Sequence, residues 1–263
     1  MSLPVFSRVI VETLRACVPT TFEAMVGTPP RDLCTRRIDT WARGLVEGAR
    51  IQIQVEGLEN VRAGECYVVM SNHQSHFDIP ILYQSLPLTL RMVAKAELFK
   101  IPFFGQAMRA AEIISVNRKN RREAMEAIEA AKTRIESGLS IWIAPEGTRS
   151  RDGQLGEFKK GGFHLALGTG ARILPVTIVG SGEVLPAKTL KIQRNVPVRV
   201  VIGAPIDPAE YGRKRLDDLV AEVRSVIASG LASPESSASV PPQSRKRESN
   251  GKSPVADVSA LGA

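Results

Sequence analysis

His73 and Asp78, in the run Ser71-Asn72-His73-Gln74-Ser75-His76-Phe77-Asp78, join a histidine base to a carboxylate five residues on. An imidazole serves as a general base when a partner fixes one ring nitrogen and leaves the other a free lone pair. A second run, Ala144-Pro145-Glu146-Gly147-Thr148-Arg149-Ser150, offers close backbone approach at Gly147 and a two-pronged phosphate contact at Arg149. A base beside an anion clamp implies deprotonation of a hydroxyl on a phosphorylated substrate. Lys95 ends one strand pattern and Arg118 follows another, so both can reach the same rim. Lys159 and Lys160 read as solvated charge, His164 as a structural residue of a helix, and His76 as secondary to the His73–Asp78 pair.

The pair can meet only across a turn. Five residues along a helix rotate a side chain by about 140° off-face, and along a strand they point it to the opposite side. The sequence supplies such a turn, since an apolar strand ends near Met70 and polar Ser71, Asn72, Gln74 and Ser75 follow. Pro80 suits the first turn of a helix, which then starts near Asp78. His73 would lie at the carboxyl end of a strand, where ligand sites of α/β sheets gather. The same residues admit a plainer reading, because Ser75-x-x-Asp78 also resembles a helix capping box.

The elements around these runs alternate between the strand and helix periods. Leu3, Phe6, Ile10, Leu14 and Cys17 recur at helical spacing until Pro19, which is expected to stop the helix. A second amphipathic helix follows Pro29-Pro30 through Cys34, Ile38, Trp41, Ala42, Leu45 and Ala49. These helices suit either packing on their own core or a monotopic anchor in a lipid interface. Strands are expected at 51–55, 66–70, 91–94, 113–116, 139–143, 173–178 and 198–202, with helices at 120–137 and 213–229 among those filling the gaps. This is an α/β chain with a central, mostly parallel or mixed sheet flanked by helices and preceded by an N-terminal helical membrane-interface segment. Residues 1–49 form that segment, 50–230 the sheet domain, and 231–263, rich in Ser, Pro, Ala and Gly, a disordered tail.

Composition narrows the partners. The chain has 263 residues, is 43% apolar and carries a net charge of +8, which suits a folded protein that meets anions. No zinc-finger, helix-turn-helix or ribonucleoprotein signature appears, so lipid and phosphate rank above nucleic acid, which is not expected as a partner. Cys17, Cys34 and Cys66 show neither a paired framework nor CxxC spacing, as expected of free thiols in a reducing compartment without structural zinc. Arg8, Glu12 and Arg15 break the apolar run that a signal peptide needs, and no uncharged stretch reaches the roughly 18 residues of a membrane span.

Residues 50–205 resemble the glycerolipid acyltransferase family of the 1-acylglycerol-3-phosphate acyltransferase type. Asn72-His73-Gln74-Ser75-His76-Phe77-Asp78 is similar to its His-x4-Asp block, which implies a catalytic base at His73 oriented by Asp78. Lys95-Ala96-Glu97-Leu98 with Ile101-Pro102-Phe103-Phe104-Gly105 resembles the segment bearing a phosphate-binding lysine. Ala111–Arg118 resembles the second block, without its usual initial glycine, and implies acceptor binding by Arg118. Pro145–Ser150 resembles the third block, with Ala144 in place of the common phenylalanine, and implies substrate binding by Glu146, Gly147, Thr148 and Arg149. Ile173-Leu174-Pro175-Val176 resembles the fourth, associated with the acyl donor.

The resemblance implies transfer of an acyl group from a thioester, acyl-CoA or acyl carrier protein, to the hydroxyl of a lysophospholipid acceptor. The reaction would yield phosphatidic acid at a membrane surface, with no cofactor and no metal. Backbone N–H groups near Glu146-Gly147 would stabilise the oxyanion. The protein is then expected to be monotopic, on the cytoplasmic face. Another lysolipid or glycerol 3-phosphate as acceptor, or a non-catalytic lipid-binding role, are the alternative readings.

Overall fold

Two helices lead into the sheet: α1 (Leu3–Val26) and α2 (Arg31–Gly48). The structure, a computed structural model, describes residues 3–117 and 120–232. There follow β1 (Gln52–Glu56), β2 (Val68–Ser71), α3 (Asp78–Ser85), β3 (Leu90–Lys95), α4 (Phe104–Ala110) and β4 (Ile114–Val116). The chain continues with α5 (Arg121–Glu136), β5 (Ser140–Ile143), α6 (Gly161–Thr169), β6 (Ile173–Val179), α7 (Ser181–Val184), β7 (Pro197–Ile202) and α8 (Leu216–Ala232). Each expected strand is present with its ends within about two residues, the usual uncertainty of element boundaries. Of the tail expected at 231–263, Leu231 and Ala232 close α8, and the rest lies outside the described residues.

The strands form one sheet in the order β1-β7-β6-β2-β5-β3-β4. Every neighbouring pair is parallel except β6 with β7. β2 is central because both of its faces are apolar. Val68 and Met70 enter the core beneath α5, α6 and α8, while Tyr67 and Val69 enter the opposite core with Leu45, Phe77, Ile81 and Leu82. The result is a three-layer α/β/α arrangement with a core on each face of the sheet.

Pro19 does not end α1, which runs on to Val26. A proline inside a helix costs about 3 kcal/mol through its missing donor and its ring clash. Packing beyond the proline offsets this. Thr20 and Thr21 are buried, the Thr21 hydroxyl donates to the Phe103 carbonyl at 2.7 Å, and Arg37 binds Glu23 through two 2.7 Å contacts. Arg31, at the start of α2, grips Glu112 at 2.6 and 2.8 Å and the Ser137 carbonyl at 2.8 Å, which fastens the helix pair to the sheet domain.

The α1 stripe divides between the two roles open to it. Cys17 is buried, Phe6 half-buried, and Ile10 and Leu14 are exposed; the side chain of Leu3 lies outside the described set. The largest apolar exposure is at the other end of α1, at Phe22 (57%), Met25 (74%) and Val26 (90%), with Leu98, Ile101 and Phe103 also exposed in the segment that Thr21 ties down. Among the described residues no helix is long and apolar enough to cross a membrane.

Candidate active site

β2, β5, β3 and β4 lie side by side and parallel, so their carboxyl ends share one edge. His73 follows β2, the Pro145–Arg149 loop follows β5, and Lys95 closes β3. Arg118, which comes two residues after β4, lies outside the described residues. Loops at such an edge converge on one crevice.

The chain leaves β2 under close control. The side chain of Asn72 extends the ladder to β6, donating to the Ile178 carbonyl and accepting from its N–H, both at 2.8 Å. The Trp142 indole donates to the Ser71 hydroxyl at 2.9 Å. His73 then turns back towards α3, and its Nδ1 stands 2.6 Å from Asp78 Oδ2. Asp78 is fully buried, whereas the His73 side chain keeps 16% of its surface exposed. With the carboxylate accepting from Nδ1–H, Nε2 retains its lone pair. The Trp142 ring meets the imidazole edge-on at 5.6 Å and limits its rotation.

The capping-box reading is also half realised. Asp78 Oδ2 accepts from the N–H groups of Gln74 at 2.8 Å and Ser75 at 3.0 Å, and the Ser75 hydroxyl accepts from the Phe77 N–H. One carboxylate therefore shapes the loop and orients the ring together.

Two cations lie near His76, in the same loop as this pair. Arg149 is half-buried and Lys95 exposed, and both act on His76. Partial withdrawal from water, then the charges of Arg149 and His73, hold the His76 pKa below the ordinary histidine value, with Asp78 opposing and Lys95 adding to the shift. Among the described residues no carboxylate pairs with Lys95 or Arg149. Lys159 and Lys160 instead pair with Glu157 and Asp217, and His164 is an exposed residue of α6.

Two residues of the Pro145–Arg149 loop make bonds within the protein that the sequence did not signal. Glu146 was expected to bind substrate, yet its Oε1 accepts from the His73 N–H and its Oε2 from the Gly156 N–H, each at 2.9 Å, and the residue is only 7% exposed. Each carboxylate oxygen is thus tied to a main-chain amide, which holds the side chain in place. The Gly147 N–H, a candidate oxyanion donor, is spent on the Ala144 carbonyl at 3.0 Å; glycine is needed there for its φ of 75°. Thr148 is exposed and borders both a polar groove and a largely apolar cavity of about 540 Å³. That cavity runs under the loop between β3–β5 and helices α5 and α6, with walls that include Val93, Val116, Ile128, Ile143 and Leu165. Nothing in the strand periodicity signalled it. Ile173, Leu174 and Val176 of the fourth motif are fully buried in β6, so they support the site rather than line it. Among the described residues no cluster of histidine, cysteine and carboxylate has metal-ligand geometry.

The family described as Acyltransferase matches residues 52–179, a span that holds His73, Asp78, Lys95 and Arg149. The chain is 37% identical over 181 residues to the chloroplastic 1-acyl-sn-glycerol-3-phosphate acyltransferase of Arabidopsis thaliana, covering 68% of this chain and 49% of that protein. It belongs to the acyltransferase family. The chain is also 32% identical over 166 residues to the 1-acyl-sn-glycerol-3-phosphate acyltransferase of Salmonella typhimurium, covering 63% of this chain and 66% of that one. It superposes on the crystal structure of the 1-acyl-sn-glycerophosphate acyltransferase of Thermotoga maritima with a TM-score of 0.72 at 27% identity, covering 86% of this chain and 92% of that one. The chain spans about half the length of its chloroplast relatives from Arabidopsis thaliana and Brassica napus.

Proposed function

We propose that the chain transfers a fatty acyl group from a thioester donor to the free hydroxyl of 1-acylglycerol 3-phosphate, giving phosphatidic acid. The donor is acyl-CoA or acyl carrier protein. The observation that carries this reading is the 2.6 Å His73–Asp78 contact, set on the same sheet edge as Lys95 and Arg149, which pair with no carboxylate among the described residues. A protein that only bound lipid would have no use for an oriented base.

In this reading Lys95 and Arg149 hold the acceptor phosphate, and His73 Nε2 takes the proton of the acceptor hydroxyl as its oxygen attacks the thioester carbonyl. The tetrahedral intermediate expels the thiolate, which takes up the proton from the His73 imidazolium. The products are the ester and a free thiol, and no acyl-enzyme forms. Asp78 stabilises the transient imidazolium through Nδ1. The 540 Å³ cavity beneath the Pro145–Thr148 loop is an apolar space suited to a fatty chain. The direct test is a panel of thioester donors and lysolipid acceptors with purified protein, read by mass spectrometry. Fastest turnover of 1-acylglycerol 3-phosphate supports the assignment; a preferred acceptor lacking phosphate would overturn it.

The lipid acceptor calls for a membrane-facing surface, and the exposed patch formed by the end of α1 suits a monotopic contact on the cytoplasmic face. Phe22→Glu with Val26→Glu is expected to reduce pelleting with anionic vesicles and to depress activity on vesicle-embedded acceptor more than on acceptor in detergent micelles. The melting temperature should hardly change, because both side chains are already exposed. Wild-type pelleting by a folded double variant would remove this patch from the interface.

A further inference from the structure

His73 is held through its main chain as well as its ring. Its N–H donates to Glu146 Oε1 at 2.9 Å, and its carbonyl accepts from the Ser150 N–H at 2.7 Å. The next two N–H groups, of Gln74 and Ser75, both end on Asp78 Oδ2. Three successive amides of the base-bearing loop are thus claimed by two carboxylates, one from each motif. The second oxygen of Glu146 reaches across to the Gly156 N–H, so this side chain links the histidine loop to the far limb of the loop that carries Arg149.

We propose that Glu146 is a positioning residue for His73, and not a contact of the acceptor. The inference rests on His73 being the base in acyl transfer. The backbone of residue 73 sets where the imidazole starts, and Asp78 can fix the ring only from that starting point. Two N–H groups converge on two separate oxygens, and this demands a carboxylate. A glutamine would turn an amide donor towards one of them and leave a buried N–H unsatisfied. A shift of about 1 Å in a reacting group can cost on the order of 10²-fold in rate.

The test compares kcat with KM in Glu146→Gln. The expected result is a kcat lower by about 10²-fold with the acceptor KM kept within about twofold, whereas Arg149→Ala raises that KM. A gentler variant guards against misfolding. In Gly156→Ala the added Cβ would stand 3.1 Å from Glu146 Oε2 and push the carboxylate by a few tenths of an ångström. That variant is expected to lose about fivefold in kcat at unchanged acceptor KM, and it decides alone if Glu146→Gln does not fold. Near wild-type kcat with a raised acceptor KM in Glu146→Gln would assign Glu146 to the acceptor and overturn the proposal. Unaltered kinetics in both variants would overturn it as well. Failure of the acyl-transfer reading is seen separately, as activity retained by His73→Ala.

Discussion

Replacing His73 with alanine is expected to abolish acyl transfer, with a loss on the order of 10³-fold or more, while the protein stays folded. The main-chain bonds of residue 73 to Glu146 and Ser150 do not depend on its ring and survive the change. Asp78 Oδ2 loses one donor but keeps the N–H groups of Gln74 and Ser75, two of its three. Asp78→Asn is expected to lose on the order of 10²-fold or more, because an amide in place of the carboxylate misdirects the imidazole tautomer. Steady-state rates beside a thermal melt of each variant make the check. A folded His73→Ala protein with wild-type kcat would end the mechanism.

Arg149→Ala is the second large effect expected. Arg149 is half-buried and has no carboxylate partner among the described residues, and a bound acceptor would cover it further. Losing a desolvated phosphate contact costs about 2–5 kcal/mol, seen mainly as a higher acceptor KM with some loss of kcat. Arg149→Lys should recover only part of this, since a point charge lacks the two-pronged fit. Lys95→Ala should act in the same direction but more weakly, because Lys95 is exposed and its charge is screened by solvent. The sharper measurement sets 1-acylglycerol 3-phosphate against 1-acylglycerol, which lacks the phosphate. The wild type should strongly prefer the former and Arg149→Ala should not. An acceptor KM unchanged in both variants would remove the two cations from the site.

The helical stripe of α1 shows where sequence reading falls short. Spacing gave one apolar face from Leu3 to Cys17 and a stop at Pro19. In the structure Cys17 faces the core, Ile10 and Leu14 face out, and the helix continues past the proline. Local propensity includes neither the grip of Arg37 on Glu23 nor that of Thr21 on Phe103, which come from residues 14 and 82 positions away. The main-chain bonds of Glu146 were out of reach of sequence reading for a related reason. A glutamate in a phosphate-type loop looks available to ligand until the loop is folded and two amides from distant segments take its oxygens.

The strands, the flanking helices, the turn between Met70 and Asp78 and the pairing of His73 with Asp78 were all legible in the chain, because each depends on residues within a few positions of one another. Periodicity marks which faces are buried, and Pro80 marks where α3 can begin. The order of strands is a different matter. β5, fifth along the chain, pairs with both β2 and β3, and that insertion sets the Arg149 loop beside His73 with Lys95 one strand further along. The apolar cavity under that loop arises from the same packing of β3, β4 and β5 against α5 and α6. Strand pairing is set by how two cores fill the opposite faces of one sheet. That condition couples residues more than a hundred positions apart, so it is met only when the whole chain has packed.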